Sequence, residues 1–157
     1  MTDHKLDIKL RRTEVADLGM FFRFQLDEEA RYMAAFMPKD ATDKTAYLAK
    51  HTKFLSDPTI NNQTILVDHV IAGSVAKFVM EGEAEITYWL DKQFWGQGIA
   101  TKALKDFLTM ETTRPIFARV AFDNVGSQKV LEKCGFVKIG TDKGYAATIA
   151  SAITILV

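Results

Sequence analysis

Apolar and polar residues alternate along the middle of the chain in a pattern that predicts three antiparallel strands. The apolar-rich runs cover residues 63–67, 70–79 and 83–90, and alternation with a period of two is typical of strands that bury one face. The dipeptides Asp68-His69 and Glu81-Gly82 separate these runs, and two-residue turns connect antiparallel neighbours. The middle of the chain is therefore predicted to form a three-stranded meander.

The segment before the meander is predicted to be one strand followed by helices. Residues 6–10 alternate as a strand. Apolar spacing then predicts helices at residues 13–27, 28–37 and 43–55. The last two helices stop before Pro38 and Pro58, because proline disfavours the helical conformation of the residue before it and cannot donate a helical hydrogen bond.

The segment after the meander alternates between stretches with helical spacing and stretches with strand alternation. Helices are predicted at residues 98–112 and from Asn124 to Gly135, and strands at residues 116–121, 136–139 and 148–157. Strand, helix and strand in succession imply that the strands at 83–90 and 116–121 are parallel and joined by a right-handed crossover. The predicted fold is a mixed α/β sheet of six to seven strands flanked by about four helices.

Length and composition narrow the class of protein. The 157 residues, 48% hydrophobic and 25% charged, suffice for one domain over residues 1–157 and are too few for two ordinary ones. The 20 basic and 20 acidic residues cancel, so a nucleic-acid partner is not expected. No apolar leader or membrane-length run is visible, which predicts a soluble cytoplasmic protein without a membrane partner. Composition leaves open whether the chain forms a homodimer.

Metal and disulfide chemistry are not predicted. The single cysteine, Cys134, allows no internal disulfide, and its surroundings favour a place in the core. The three histidines, His4, His51 and His69, share no metal-ligand spacing with it.

The most informative stretch is the turn at Gly96 and Gly98, between the strand at 83–90 and the helix after it. The helix opens on Gly98-Ile99-Ala100 without a Ser, Asp or Asn cap. Its first backbone N–H groups therefore have no side-chain acceptor and are suited to an anion. This turn is predicted to hold the pyrophosphate of a nucleotide-bearing cofactor.

The two glycines allow three other interpretations. A Walker phosphate loop requires Gly-Lys-Ser/Thr at its end, which is absent. A dinucleotide-binding turn would have a third glycine where Thr101 stands, although Asp123 could contact a ribose. A simple turn that reverses the chain is as plausible as a functional one for two glycines alone.

The context of the turn favours a cofactor site. The motif Trp95-Gly96-Gln97-Gly98-Ile99-Ala100-Thr101 is followed by a second, Asp123-Asn124-Val125-Gly126-Ser127 with residues 130–136. Together they resemble the acetyl-CoA motifs of the GNAT N-acetyltransferases, in particular of the RimJ/RimL-like branch. The resemblance is firm over residues 60–140. The family usually has Arg or Gln at the first motif position, where this chain has Trp95, although an aromatic residue there is familiar within the branch.

The resemblance implies where acetyl-CoA would bind. The strands at 83–90 and 116–121 would diverge in a V-shaped split that receives the pantetheine chain. Further contacts would come from Asn124, Ser127 and the strand end at Trp89 and Leu90, where a backbone N–H would polarise the thioester carbonyl. The pyrophosphate would bind the backbone N–H groups of Gln97, Gly98, Ile99, Ala100 and Thr101.

The resemblance also implies a reaction, the transfer of acetyl from acetyl-CoA to a primary amine by direct attack. Glu85 resembles the general base of the family, with Glu83 as a competitor, and Ser127 or Tyr145 would donate a proton to the leaving thiolate. The acceptor amine is not readable from the sequence. Two alternatives remain, a non-catalytic acyl-CoA-binding or sensing module and a dinucleotide-dependent oxidoreductase.

Overall fold

A computed structural model describes residues 6–26, 43–121, 125–142 and 152–156. Its strands are β1 Ile8–Arg12, β2 Asn61–Val67, β3 Val70–Met80, β4 Glu83–Leu90, β5 Ile116–Ala121, β6 Val137–Asp142 and β7 Ala152–Leu156. Its helices are α1 Leu18–Gln25, α2 Lys44–Leu55, α3 Ile99–Met110 and α4 Val125–Lys133. The helix predicted at residues 28–37 lies outside the described residues.

All seven strands belong to one sheet with the order β1-β2-β3-β4-β5-β7-β6. The predicted meander is confirmed, because β2, β3 and β4 pair antiparallel in succession. Its two turns have positive φ angles, 49° and 69° at Asp68 and His69 and 53° and 81° at Glu81 and Gly82. These angles are typical of the tight turns whose twist matches that of an antiparallel hairpin. The prediction of six to seven strands is also confirmed.

The strands β4 and β5 pair over only part of their length. They are parallel, as predicted, but the ladder joins only Ala84–Ile86 to Ile116–Ala118. Beyond this point β4 continues to Leu90 beside β3, whereas β5 pairs with β7 on its other edge. The two strands therefore separate after three residue pairs, and the predicted split is confirmed.

Two apolar clusters cover opposite faces of the sheet. Successive residues of β4 point to opposite faces, so Ile86 and Leu90 contribute to one cluster and Trp89 to the other. The first cluster includes residues of α3 and α4: Ile99, Ala103, Leu104, Phe107 and Leu131. The second includes residues of α1 and α2: Leu18, Phe21, Phe24, Tyr47, Leu48 and Leu55.

The first helix starts later than the sequence predicts. Val15–Asp17 forms a single 3-10 turn before α1 begins at Leu18. The Asp17 carboxylate folds back and accepts hydrogen bonds from Glu14 N–H at 2.9 Å, from Thr64 Oγ1 at 2.9 Å and from two guanidinium nitrogens of Arg11 at 2.7 and 2.8 Å. This buried network joins the turn to β1 and β2 and delays the helix.

Candidate active site

The start of α3 has the geometry of an anion-binding turn. Gly96 and Gly98 have φ angles of 73° and 76°, and a Cβ on either would meet open space. Gly98 occupies the N-cap position without a side-chain cap. The first helical bond runs from Lys102 N–H to Gly98 O at 3.2 Å. In the described part of the chain, no acceptor meets the N–H groups of residues 99–101, so an anion can occupy this position.

The side chains around the turn have contacts of their own. Gln97 Nε2 donates to Gln93 O at 3.0 Å, and Lys102 Nζ forms an ion pair with Asp106 at 2.8 Å on the exposed surface of α3. Ile99 is fully buried and anchors the first helical turn in the core. The five predicted pyrophosphate contacts, residues 97–101, thus lie together on one continuous loop and helix start.

Trp95, the residue that departs from the usual family pattern, has a structural contact. Its Nε1 donates to the carbonyl of Leu90 at 2.7 Å. This bond ties the glycine turn to the end of β4, so the two predicted parts of the cofactor site are held at a fixed separation. No local sequence pattern predicts this contact, because the two residues lie five positions apart in a loop of irregular conformation.

The peptide between Trp89 and Leu90 presents an N–H group to the split. The carbonyl of Trp89 faces Gly73 of β3, since a Cβ added to Gly73 would lie 2.0 Å from the Trp89 oxygen. In a planar trans peptide, the carbonyl and the following N–H point in opposite directions. The N–H of Leu90 therefore points away from β3, on the side where β4 has no partner strand after Ile86.

Glu85 lies in the part of β4 that pairs with β5, next to the point where the two strands separate. It pairs with Phe117 of β5 and is only 4% exposed. A strand carboxylate without a function would be expected at an exposed position, and Glu85 is buried. Its Oε1 lies 3.2 Å from Nε of Arg119. Burial raises the pKa of Glu85, the Arg119 guanidinium opposes this shift in part, and nearby Glu83 adds to it.

Arg119, which was not predicted as part of the candidate site, lies beside Glu85. It interrupts an otherwise apolar strand, Ile116–Ala121, and a charged residue in such a strand usually has a partner. The guanidinium forms an ion pair with Glu85 across the parallel strands. The alternation of β5 could have shown that Arg119 shares a face with Phe117, but only the register places that face beside Glu85.

Ser127 lies in the first turn of α4 and contacts Tyr88, a second residue that was missed. The Tyr88 hydroxyl and Ser127 Oγ are 2.6 Å apart. Tyr88 lies in β4, two positions after Ile86, the last residue that pairs with β5, so this contact crosses the split. Tyr145 and Asn124, the other predicted contacts on this side, lie outside the described residues.

The remaining polar groups add no second site. Cys134 packs against the first cluster, its Sγ lies 3.6 Å from the carbonyl of Thr101, and burial raises its pKa. Among the described residues, no three His, Cys, Asp or Glu side chains are close enough to hold a metal ion. No helix within the described ranges has both the length and the apolar character needed to cross a bilayer.

Comparison with known proteins defines the class to which this site belongs. The family model for the acetyltransferase (GNAT) domain matches residues 7–137. The chain therefore belongs to the GNAT family, and the prediction of an acetyl-CoA-dependent acyltransferase is confirmed at the level of the family. A search of curated protein sequences finds no match.

Solved structures share the fold at low sequence identity. RimL, a ribosomal L7/L12 alpha-N-protein acetyltransferase solved with coenzyme A, is 20% identical, with a TM-score of 0.81 over 95% of this chain and 92% of RimL. RimJ from Mycobacterium smegmatis is 21% identical, with a TM-score of 0.77 over 96% and 81% of the two chains. Spermidine N-acetyltransferase from Vibrio cholerae, solved with coenzyme A and spermine, is 18% identical, with a TM-score of 0.78 over 95% and 93%.

Proposed function

We propose that this chain, acting as a single domain, transfers the acetyl group of acetyl-CoA to a primary amine by direct attack in a ternary complex. The observation that carries the proposal is the coincidence of two features at one end of the sheet. One is the split between β4 and β5, and the other is the uncapped start of α3 with its free N–H groups. Trp95 links these features through its bond to Leu90.

Acetyl-CoA would be held mainly by backbone groups. The N–H groups of residues 97–101 would bind its pyrophosphate, supported by the positive end of the α3 dipole. The unpaired edge of β4 would bond the pantetheine amides, with Asn124 and Ser127 completing the site at the thiol end. The N–H of Leu90, which points into the split, would stabilise the negative charge that develops on the thioester oxygen during attack.

The pKa of the acceptor decides how much base catalysis is needed. Only a neutral amine attacks, and forming it near neutral pH costs about 4–5 kcal/mol for a lysine of pKa about 10.4. For an α-amino group of pKa about 7.7–8.0 the cost is roughly 1 kcal/mol. Glu85 is nearly buried and ion-paired, so it would accept the proton through a water molecule. This arrangement is better suited to an α-amine than to a lysine.

We infer that the acceptor is a small primary amine or a protein N-terminal amine, and the pKa argument favours an amine of low pKa. RimL acts on a ribosomal protein and the Vibrio cholerae enzyme on spermidine, so both classes occur among proteins of this fold. The acceptor would approach from the face of β4 that carries Glu85, next to α1. Arg23 is exposed on α1.

A binding screen followed by a turnover assay tests the proposal. We expect acetyl-CoA and CoA, but not NAD or NADP, to raise the melting temperature, because a ligand that binds only the folded state stabilises it. Thiol release with a panel of N-terminal peptides, spermidine and small amines then identifies the acceptor. Stabilisation by NAD or NADP alone would favour the oxidoreductase, and binding without turnover for any amine would favour the sensing module.

A pair of matched glycine variants locates the phosphate site. Gly98 and Gly82 both have positive φ angles, 76° and 81°, and a Cβ at either would meet open space. Gly98→Ala and Gly82→Ala therefore impose a similar backbone strain of about 1–2 kcal/mol. We expect only Gly98→Ala to weaken acetyl-CoA, by about tenfold or more in Kd, because its Cβ occupies the space of the phosphate. Equal affinities in calorimetry would place the phosphate elsewhere.

A further inference from the structure

Strand β3 carries a bulge opposite the end of β4. Its ladder with β2 shifts between Ile65 and Leu66, and the register skips Ala72. On the other side of β3, Gly73 is opposite Leu90, the last residue of β4. Bulges redirect the backbone and are common beside active sites. This bulge lies against the peptide whose N–H points into the split.

Gly73 is buried and has no room for a side chain. A Cβ there would lie 2.0 Å from the carbonyl oxygen of Trp89 and 3.0 Å from the Cα of Leu90. Both neighbours are backbone atoms, so rotation of a side chain cannot relieve the contact. An alanine at this position would have to push the Trp89 oxygen away by about 1 Å.

The reason for a glycine at position 73 differs from that at the tight turns. Gly82, Gly96 and Gly98 have positive φ angles, and a Cβ on any of them would meet open space. Gly73 has no positive φ angle. It is required for its small volume, and the atoms that need this space belong to the Trp89-Leu90 peptide.

Two further hydrogen bonds fix the orientation of the same segment. The N–H of Asp91 donates to the carbonyl of Ala72 at 2.8 Å, and the carbonyl of Leu90 accepts from Trp95 Nε1 at 2.7 Å. In a strand, the N–H and C=O of one residue point to one side and those of the next residue to the other. The N–H of Leu90 therefore points away from β3, as its carbonyl does.

We propose that Gly73 is a positioning residue, which lets the Trp89-Leu90 peptide lie against the bulge and so aims the Leu90 N–H at the thioester oxygen. The inference rests on the proposed function and adds a residue that acts only through the backbone of β4. Negative charge develops on this oxygen during attack, and a donor already in place stabilises the charge. A displacement of about 1 Å can cost about 100-fold in rate.

The first test compares Gly73→Ala with a control on the same strand, Val75→Ile. Val75 is fully buried and lies opposite Tyr88, so one added methylene overpacks the core without adding an atom beside the Trp89 carbonyl. Three quantities are measured for each protein: kcat with the best amine, the calorimetric Kd of CoA and the melting temperature. The infrared band of bound acetyl-CoA, labelled with 13C at the carbonyl, reports the hydrogen bond itself.

We expect Gly73→Ala to lower kcat about 100-fold. The Kd of CoA should change less than about threefold, because CoA lacks the carbonyl that Leu90 would contact. The carbonyl band should move to higher frequency, since a weaker hydrogen bond polarises the C=O bond less. Val75→Ile should lower the melting temperature but keep the wild-type kcat and band. A merely structural role of Gly73 would not move the band.

A second variant, Asp91→Pro, disturbs the same peptide without a change inside the sheet. Asp91 has φ −58° and ψ 139°, which proline can adopt, and the preceding residue lies in an extended strand, as proline requires. The ring replaces the N–H that bonds Ala72. We expect kcat to fall about tenfold and the carbonyl band to move to higher frequency. Asp91→Ala, which keeps the N–H, should match the wild type.

The outcomes separate this inference from the proposed function. Wild-type kcat or an unmoved carbonyl band in Gly73→Ala overturns the positioning role, while acetyl transfer by the wild type stands. An equal loss of CoA affinity overturns it too, because Gly73 would then shape the whole cofactor site. If Gly73→Ala does not fold, an unmoved band in Asp91→Pro overturns the role. Wild-type protein that binds no acetyl-CoA overturns the proposed function, and with it the inference.

Discussion

Two carboxylates, each paired with an arginine, lie at different places on the described sheet, Asp17 against the edge strands β1 and β2 and Glu85 on the central strand β4, and they differ in almost every contact. Asp17, 3% exposed, binds both terminal guanidinium nitrogens of Arg11 and also accepts from Thr64 and Glu14 N–H. Glu85, 4% exposed, has one ion-pair contact of 3.2 Å with Arg119. Both carboxylates are almost fully buried, but Asp17 accepts hydrogen bonds from more donors than Glu85 does.

The difference appears in the direction of the two pKa shifts. Burial alone would raise the pKa of Asp17, but the hydrogen bonds from Arg11, Glu14 and Thr64 together lower it. At Glu85, burial outweighs Arg119, and the pKa is raised. A carboxylate held in its charged form by four hydrogen bonds, as Asp17 is, stabilises the fold. A buried carboxylate with one ion-pair contact and a raised pKa, as Glu85 is, takes up a proton more readily, which supports its proposed role as the base.

The largest effect we expect is on turnover, from Glu85→Gln. The amide keeps the size of the side chain and an oxygen for Arg119 but cannot accept the proton, so kcat should fall about 100-fold. The free energy of unfolding should change by less than about 1 kcal/mol, and KM for acetyl-CoA should stay the same. The matched control is Glu83→Gln, an exposed position two residues earlier on the same face. Equal activity of both variants would remove Glu85 from the mechanism.

The next effect is on stability, from Asp17→Asn. Removing one partner of a buried ion pair costs about 3–5 kcal/mol, and since the Arg11 side chain is 35% exposed we expect about 2–3 kcal/mol in urea unfolding. The control, Asp106→Asn, breaks an exposed pair with Lys102 and should cost less than about 0.5 kcal/mol. The kcat of folded Asp17→Asn should match the wild type. A loss of kcat with unchanged stability would reverse the contrast between the two carboxylates.

The smallest effect we expect is on how the free energy of unfolding depends on pH. The pKa values of Asp17 and Glu85 are shifted in opposite directions, so their contributions to this dependence have opposite signs. The folded-state pKa of Asp17 lies below its ordinary value of 3.8, so its contribution is complete above that value and is lost as pH falls through the folded-state pKa. The folded-state pKa of Glu85 lies above its ordinary value of 4.5. The folded state then holds the proton more tightly, and stability decreases as pH rises from 4.5 through the raised pKa.

Unfolding titrations of the two variants separate these contributions. Asp17→Asn should lose the part of the acid destabilisation that lies below pH 3.8, and Glu85→Gln the decrease that begins at pH 4.5. Identical pH profiles of the wild type and both variants would show that neither shift exists in solution.

The sequence predicted the strands of this protein better than the start of its first helix. The bounds of β4 and β5 agree with the predicted residues 83–90 and 116–121, because alternation and turn residues define them locally. The start of α1 was predicted too early, because the carboxylate of Asp17 is drawn into a network with Arg11 and Thr64 that no local pattern records. Tertiary contacts override helix propensity at such a position.

In the candidate site, too, some features follow from the sequence and others only from the tertiary structure. The sequence by itself determined the glycine turn, the uncapped helix start and membership of the family, since these depend on residues that are neighbours along the chain. Only the tertiary structure decided that Glu85 meets Arg119, that Tyr88 meets Ser127 and that Leu90 N–H points into the split. A hydrophobic pattern specifies the face of a strand, whereas a hydrogen bond requires two atoms within about 3 Å. That distance is fixed only when strand register and helix packing bring remote residues together.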